Sequence, residues 1–133
     1  VLSCYFQNFG PSIAMSNFLK LNDAAEFYNN VMSIWSSYTK IFSPNVCYVK
    51  YEDLVINFED TIKNIVKFLN LDWSNKFYEF NILAKKRGII STPSYYQVTE
   101  SLNKNAINRW INYEVNLEKV KSTLDFWIKE YSY

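Results

Sequence analysis

Phe27, Val31, Ile34, Trp35 and Tyr38 recur every three or four positions and form one apolar stripe at helical spacing. Asp23-Ala24-Ala25-Glu26 stands at its head and reads as a capping box, its first carboxylate accepting N–H groups left free by the first turn. The predicted helix runs from there to about Phe42, where Ser43-Pro44-Asn45 stops it. Upstream, residues 1–9 are apolar and aromatic, a helix start broken by Gly10-Pro11-Ser12. Downstream, Val46-Cys47-Tyr48-Val49 is a short β-branched run between turn residues. Runs of this kind form strands buried on both faces, as in a parallel sheet.

Asn57 is placed to cap a helix whose first turn carries Glu59 and Asp60, both favourable against the helix dipole. The stripe of that helix is Ile62, Ile65, Val66 and Leu69, and Asn70 is a left-handed terminator. A shorter helical piece is predicted over residues 73–80, followed by a long loop without periodicity over residues 85–100. Residues 103–113 and 116–131 look helical again, the second with Leu117, Val120, Leu124, Trp127 and Ile128 inward. Helix, strand, helix, loop, helices predicts part of an α/β layer fold rather than a bundle.

With 49% hydrophobic and 19% aromatic residues, the 133-residue chain can bury a core, which excludes intrinsic disorder. It contains no His, which removes imidazole acid–base chemistry and the usual zinc sites. Gly10 and Gly88 are the two glycines, too few for a Gly-rich phosphate cradle. The net charge of +1 argues against a general nucleic-acid binder. Cys4 and Cys47 each sit among apolar residues and are expected as small buried hydrophobes, their pairing left open. No apolar run reaches the ~18 residues of a membrane span, and no secretory signal is present. A length of 133 residues fits one domain, or part of one, and the absence of an initiator Met reads as a piece of a longer chain. Cysteine usage favours the cytoplasm.

The small net charge hides an asymmetry. Residues 85–109 carry Lys85, Lys86, Arg87, Lys104 and Arg109 against Glu100 alone, a local excess of +4. On a loop this is a candidate anion site, although the Lys85-Lys86-Arg87 triplet by itself suits a solvated face. Arg109, beside Trp110 on a predicted helix, is more constrained. The hydroxyls of Ser91, Thr92 and Ser94 either cap the next turn or donate to a charged ligand.

Five segments in order carry a family resemblance. They are residues 1–9 (Val-Leu-Ser-Cys-Tyr-Phe-Gln-Asn-Phe), Tyr51-Glu52-Asp53-Leu54, Phe68-Leu69-Asn70-Leu71 before Trp73, Thr92-Pro93-Ser94-Tyr95-Tyr96-Gln97-Val98, and Arg109-Trp110. Together they resemble the C-terminal half of sulfotransferases that use 3′-phosphoadenosine 5′-phosphosulfate (PAPS). They look most like the bacterial type often fused to tetratricopeptide repeats and related to tyrosylprotein sulfotransferases. The resemblance implies the helix-rich C-terminal part of a P-loop-kinase-like parallel sheet sandwiched by helices, formed by residues 1–133 as one domain portion without the upstream 5′-phosphosulfate loop. It implies transfer of a sulfuryl group to a hydroxyl acceptor on a protein tyrosine, a glycan or a small molecule, with no metal and no nucleic-acid partner.

Residue by residue, Ser3 matches the serine that binds the 3′-phosphate, and the Arg of that motif would lie before residue 1. Tyr51 matches a tyrosine at a strand end that contacts the nucleotide. Ser94 resembles the serine of a Ser-Thr-Asp-Gln-Val segment that approaches the transferring group, which makes it the catalytic candidate. Arg109-Trp110 stands where relatives have Lys-Trp, so Arg109 takes the place of a PAPS-contacting lysine, as a planar fork instead of a point donor. The general base also lies upstream in the family, so the 133 residues alone are expected not to catalyse. Two other readings stay open: a non-enzymatic helical protein-interaction module, and a kinase-like enzyme of the same architecture.

Overall fold

The computed structural model describes residues 1–88 and 99–133. In chain order, the α-helices among them are α1 (Leu2–Tyr5), α2 (Leu21–Phe42), α3 (Tyr51–Ile56), α4 (Phe58–Phe68), α5 (Phe80–Lys86), α6 (Glu114–Leu117) and α7 (Lys121–Glu130). Short 3₁₀ turns join them at Met15–Phe18, Asn75–Glu79, Lys104–Ala106, Arg109–Tyr113 and Glu118–Val120. No strand occurs among the described residues. The α/β expectation, with its P-loop-kinase-like parallel sheet, is therefore corrected: the described fold is all-helical. A parallel strand takes its ladder hydrogen bonds from neighbouring strands. Residues 46–49 meet none, and they run as irregular chain with Tyr48 66% exposed.

The chain divides into two compact units, one of Val1–Pro44 with Trp110–Tyr133, the other of Asn45–Arg109. In the first unit, α2 packs on α1, α7 and the two neighbouring 3₁₀ turns at Met15–Phe18 and Glu118–Val120. Its buried residues are Ala24 and Ala25, joined by Val120 and Trp127 from the C-terminal segment. Small side chains at the crossing let the helix backbones come close. Trp127 Nε1 donates to Asn29 Oδ1 at 2.8 Å, satisfying a donor buried between α2 and α7.

The inward stripe expected of α2 is thereby turned by about one residue. Met32 and Trp35 are half-buried, whereas Ile34, Tyr38, Ile41 and Phe42 are exposed. The helix also starts earlier than the capping box suggests. Lys20 is its N-cap, and Asp23 lies in the first turn without a side-chain cap, where its charge still opposes the dipole favourably. It ends as expected at Phe42, with Ser43 left-handed at φ 43°. The C-terminal segment faces inward as read, with Val120 and Trp127 buried and Leu117, Leu124 and Ile128 half-buried.

In the second unit, α3 and α4 pack together around Val55 and Val66. The Thr61 hydroxyl donates to the Asp53 carbonyl at 3.1 Å across this pair. Asn57 begins α4 without a side-chain cap bond, and Asn70 closes the following turn at φ 53°, the left-handed terminator anticipated. The helix expected over 73–80 is a 3₁₀ turn capped by Ser74 that runs into α5. α5 extends into the region expected as a loop and stops where Gly88 takes φ 79°, a backbone position that glycine adopts without a Cβ penalty. Both cysteines are free thiols and half-buried.

Candidate functional site

Tyr51 opens α3 and is 41% exposed. Its phenol oxygen accepts the Asn103 N–H at 3.1 Å and donates to the Asn103 carbonyl at 3.5 Å. The Asn103 carboxamide oxygen accepts the Asn105 N–H at 3.0 Å and so caps the turn Lys104–Ala106. Asn108 then takes the left-handed conformation at φ 55°, and Arg109 follows, exposed, at the head of the next 3₁₀ turn. Tyr51 and Arg109 thus belong to one unit and are linked through a short, backbone-anchored segment. The signals for this link were an Asn-x-Asn spacing that favours local side-chain caps and an Asn before Arg109 that tolerates positive φ.

Beside the Tyr51–Asn103 contact lies an open hollow of about 740 Å³. Phe58, Tyr78 and Phe80 form its aromatic side, with Phe58 5.5 Å from Tyr78 and 6.2 Å from Phe80 between ring centroids. Ser101, Asn103 and Lys104 form the polar side. An aromatic wall facing amide and ammonium donors suits a planar ring that carries negative charge. The Tyr78 hydroxyl is turned onto Glu59 at 2.6 Å, and Glu59 also pairs with Lys63. These bonds hold the Glu59 carboxyl below the usual carboxylate range and push the Tyr78 phenol up.

Of the basic excess, Lys85 pairs with Glu100 at 3.4 Å, with both side chains more than half exposed, which makes it a weak surface contact. Lys104 and Arg109 make no ion pair among the described residues. Glu52, neighbour of Tyr51, holds one buried carboxylate oxygen without a hydrogen-bond partner, a feature the sequence did not signal. No cluster of metal-ligating side chains occurs among the described residues.

Ser3 belongs to the other unit. It is exposed, second in the one-turn α1, where few peptide dipoles add up. It borders an apolar hollow of about 380 Å³ with Tyr28, Trp110 and Trp127, and no Lys or Arg lines that hollow. Burial pushes the Tyr28 phenol up, with the neighbouring Tyr131 and Tyr133 acting in the same direction. Ser94, with the rest of residues 89–98, lies outside the described residues.

The profile of the sulfotransferase family matches residues 1–75, more than half of the chain, and that stretch includes Ser3 and Tyr51. The chain belongs to the sulfotransferase family. A protein of Aquifex aeolicus (strain VF5), described as an uncharacterized protein, is 24% identical over 130 residues. The alignment covers 97% of this sulfotransferase-family chain and 17% of that protein, so the chain spans about a sixth of the length of the curated relative it matches. No solved structure matches the chain. No helix among the described residues is long and apolar enough to cross a membrane.

Proposed function

We propose that the chain holds the nucleotide in a sulfuryl transfer from PAPS to a hydroxyl acceptor. The observation that carries this is the family match over residues 1–75, a stretch containing two of the four residues assigned to the nucleotide. It is supported in the second unit by two exposed cations, Lys104 and Arg109, that make no ion pair among the described residues. The aromatic-walled hollow that Lys104 borders is wide enough for a nucleoside, since ligand sites typically measure about 300–1,000 Å³. In this reading Arg109 donates a planar fork to phosphate oxygens; the role of Ser3 at the 3′-phosphate rests on the resemblance alone.

Sulfuryl transfer is an in-line displacement. The acceptor oxygen forms a bond to sulfur while the bond from sulfur to the bridging phosphate oxygen breaks, and 3′-phosphoadenosine 5′-phosphate (PAP) leaves with the negative charge. The acceptor's proton passes to a general base. Such a step is served by positioning and charge stabilisation, as in phosphoryl transfer. Ser94 is assigned to donate to the sulfuryl or bridging oxygen on the strength of the resemblance. No general base and no 5′-phosphosulfate loop is assigned within the 133 residues, so the chain alone binds PAP without turning PAPS over. The order of Gln97-Val98 and Arg109-Trp110 supports the branch related to tyrosylprotein sulfotransferases and often fused to tetratricopeptide repeats. The acceptor is then a protein tyrosine, a glycan or a small molecule.

Isothermal titration calorimetry with PAP tests this. Saturable binding is expected, and Arg109→Ala should weaken it about ten- to hundredfold, the size of a lost charged hydrogen bond. A chain that shows no saturable heat would sink the proposal. It would favour the second reading, a helical interaction module, for which the exposed Ile34, Tyr38, Ile41 and Phe42 of α2 speak.

A further inference from the structure

We infer that the Tyr51 hydroxyl is a latch that positions the Arg109-bearing segment, rather than a direct donor to the nucleotide; this rests on the assignment of Arg109 made above. The hydroxyl owns one proton and two lone pairs. One lone pair takes the Asn103 N–H at 3.1 Å, and the proton is directed at the Asn103 carbonyl at 3.5 Å, a long and weak contact beside the first. A donor bond from Tyr51 to a phosphate therefore exists only at the expense of the Asn103 carbonyl contact.

What the two bonds achieve is mechanical. They tie residues 52 apart in sequence, joining the first turn of α3 to the start of the segment 103–109. The α3 end is a firm base, because Val55 is buried against α4 and Thr61 holds the Asp53 carbonyl. From Asn103 onward the backbone features follow one another in order. The Asn103 side chain caps the 3₁₀ turn, the turn leads to Asn108, and the left-handed Asn108 sets the direction in which Arg109 leaves. Lys104, on the rim of the aromatic-walled hollow, rides on the same segment. Releasing the latch leaves both cations on the chain and frees them to wander. The ligand then bears the entropy of ordering them. Tyr51 is thus a positioning residue for Arg109 and Lys104.

A double-mutant cycle tests this on the full chain, with PAP affinity measured by calorimetry and amide exchange measured in the absence of ligand. Tyr51→Phe keeps the ring and removes the hydroxyl. It is expected to weaken PAP binding about fivefold, the size of one net hydrogen bond, and to speed exchange at the Asn103 amide. In the Arg109→Ala background the same change should cost clearly less than the fivefold it costs in the parent chain, because one of the two side chains being positioned is gone. Losses that multiply in the double variant would mean a direct contact and overturn the latch, leaving the assignment of Arg109 intact. Unchanged exchange at Asn103 in Tyr51→Phe would overturn it as well. If Arg109→Ala binds PAP as tightly as the parent chain, the functional assignment falls first and the latch falls with it.

Discussion

The bond between Asn29 and Trp127 joins two helices 98 residues apart in sequence, and its removal has a predictable cost. Trp127 is 5% exposed on α7, and its Nε1–H finds its acceptor on α2 at 2.8 Å. Asn29→Ala leaves that donor facing the helix crossing with no partner. An orphaned buried donor costs about 1–3 kcal/mol. Trp127→Phe removes the donor and part of the ring. The loss there combines transfer and cavity effects and stays below the ~3–5 kcal/mol of a full truncation to Ala. The double variant has neither donor nor acceptor, so it should be more stable than the sum of the single losses predicts, by about 1 kcal/mol. Urea denaturation followed by far-UV circular dichroism measures all four corners of the cycle. With a slope of about 1–3 kcal/mol per molar urea, a loss of 2 kcal/mol moves the midpoint by about 1 M. Two results would refute the reasoning: a midpoint for Asn29→Ala indistinguishable from the parent chain, or single losses that add to within 0.3 kcal/mol or so.

Two further outcomes follow from the second unit. Glu59 accepts bonds from Lys63 and Tyr78 that lower its pKa, so its contribution is fully present above the unfolded carboxylate pKa and is lost as pH falls through the lower folded value. The melting-temperature gap between the parent chain and Glu59→Gln should therefore be widest near neutral pH and close towards pH 3; a gap that stays constant counts against the cluster. On the alkaline side Lys63 and Tyr78, both raised, stabilise the fold below their unfolded pKa values and cease to do so as pH rises through the folded ones. Asn70 stands at φ 53° after α4, so Asn70→Val should destabilise by about 1–2 kcal/mol while Asn70→Gly stays within about 0.5 kcal/mol of the parent. Equal tolerance of Val and Gly in urea titrations would show that this helix end does not depend on a left-handed residue.

Helix positions were legible from periodicity, while helix orientation was not. The large apolar residues of α2 mark a stripe through Val31, Ile34 and Tyr38, yet the face that closes on its partners is the one with Ala24 and Ala25. Alanine adds little to a hydrophobic pattern, but it permits the close approach that packing against α7 requires, so tight crossings are under-weighted in any reading by side-chain size. The run Val46-Cys47-Tyr48-Val49 fails for a different reason. β-propensity describes how well a residue fits a pleated, half-buried surface, and no neighbouring strand among the described residues offers one. Stops read more reliably than starts. Ser43 and Asn70 take positive φ at the ends the sequence marked, whereas Lys20 begins α2 with no capping side chain at all.

For the site, residue types were legible and their partners were not. Lys85 and Arg109 stand equal in a count of charge, but Lys85 has Glu100 within 3.4 Å and Arg109 pairs with no carboxylate among the described residues. A count of residues 85–109 therefore overstates the anion-binding capacity at one end of the stretch and not at the other. Tyr51 shows the same limit. A tyrosine at the end of a strand, facing a nucleotide, and a tyrosine at the head of a helix, holding a distant backbone amide, are written identically in sequence. Only the pairing with Asn103 separates them, and pairings across 52 residues carry no local signature. Motif order identifies the family because it requires only that residues recur in sequence. Assigning each residue a role requires knowing what its polar atoms are already bonded to, because a hydroxyl that holds the backbone gives up that contact when it turns to a ligand.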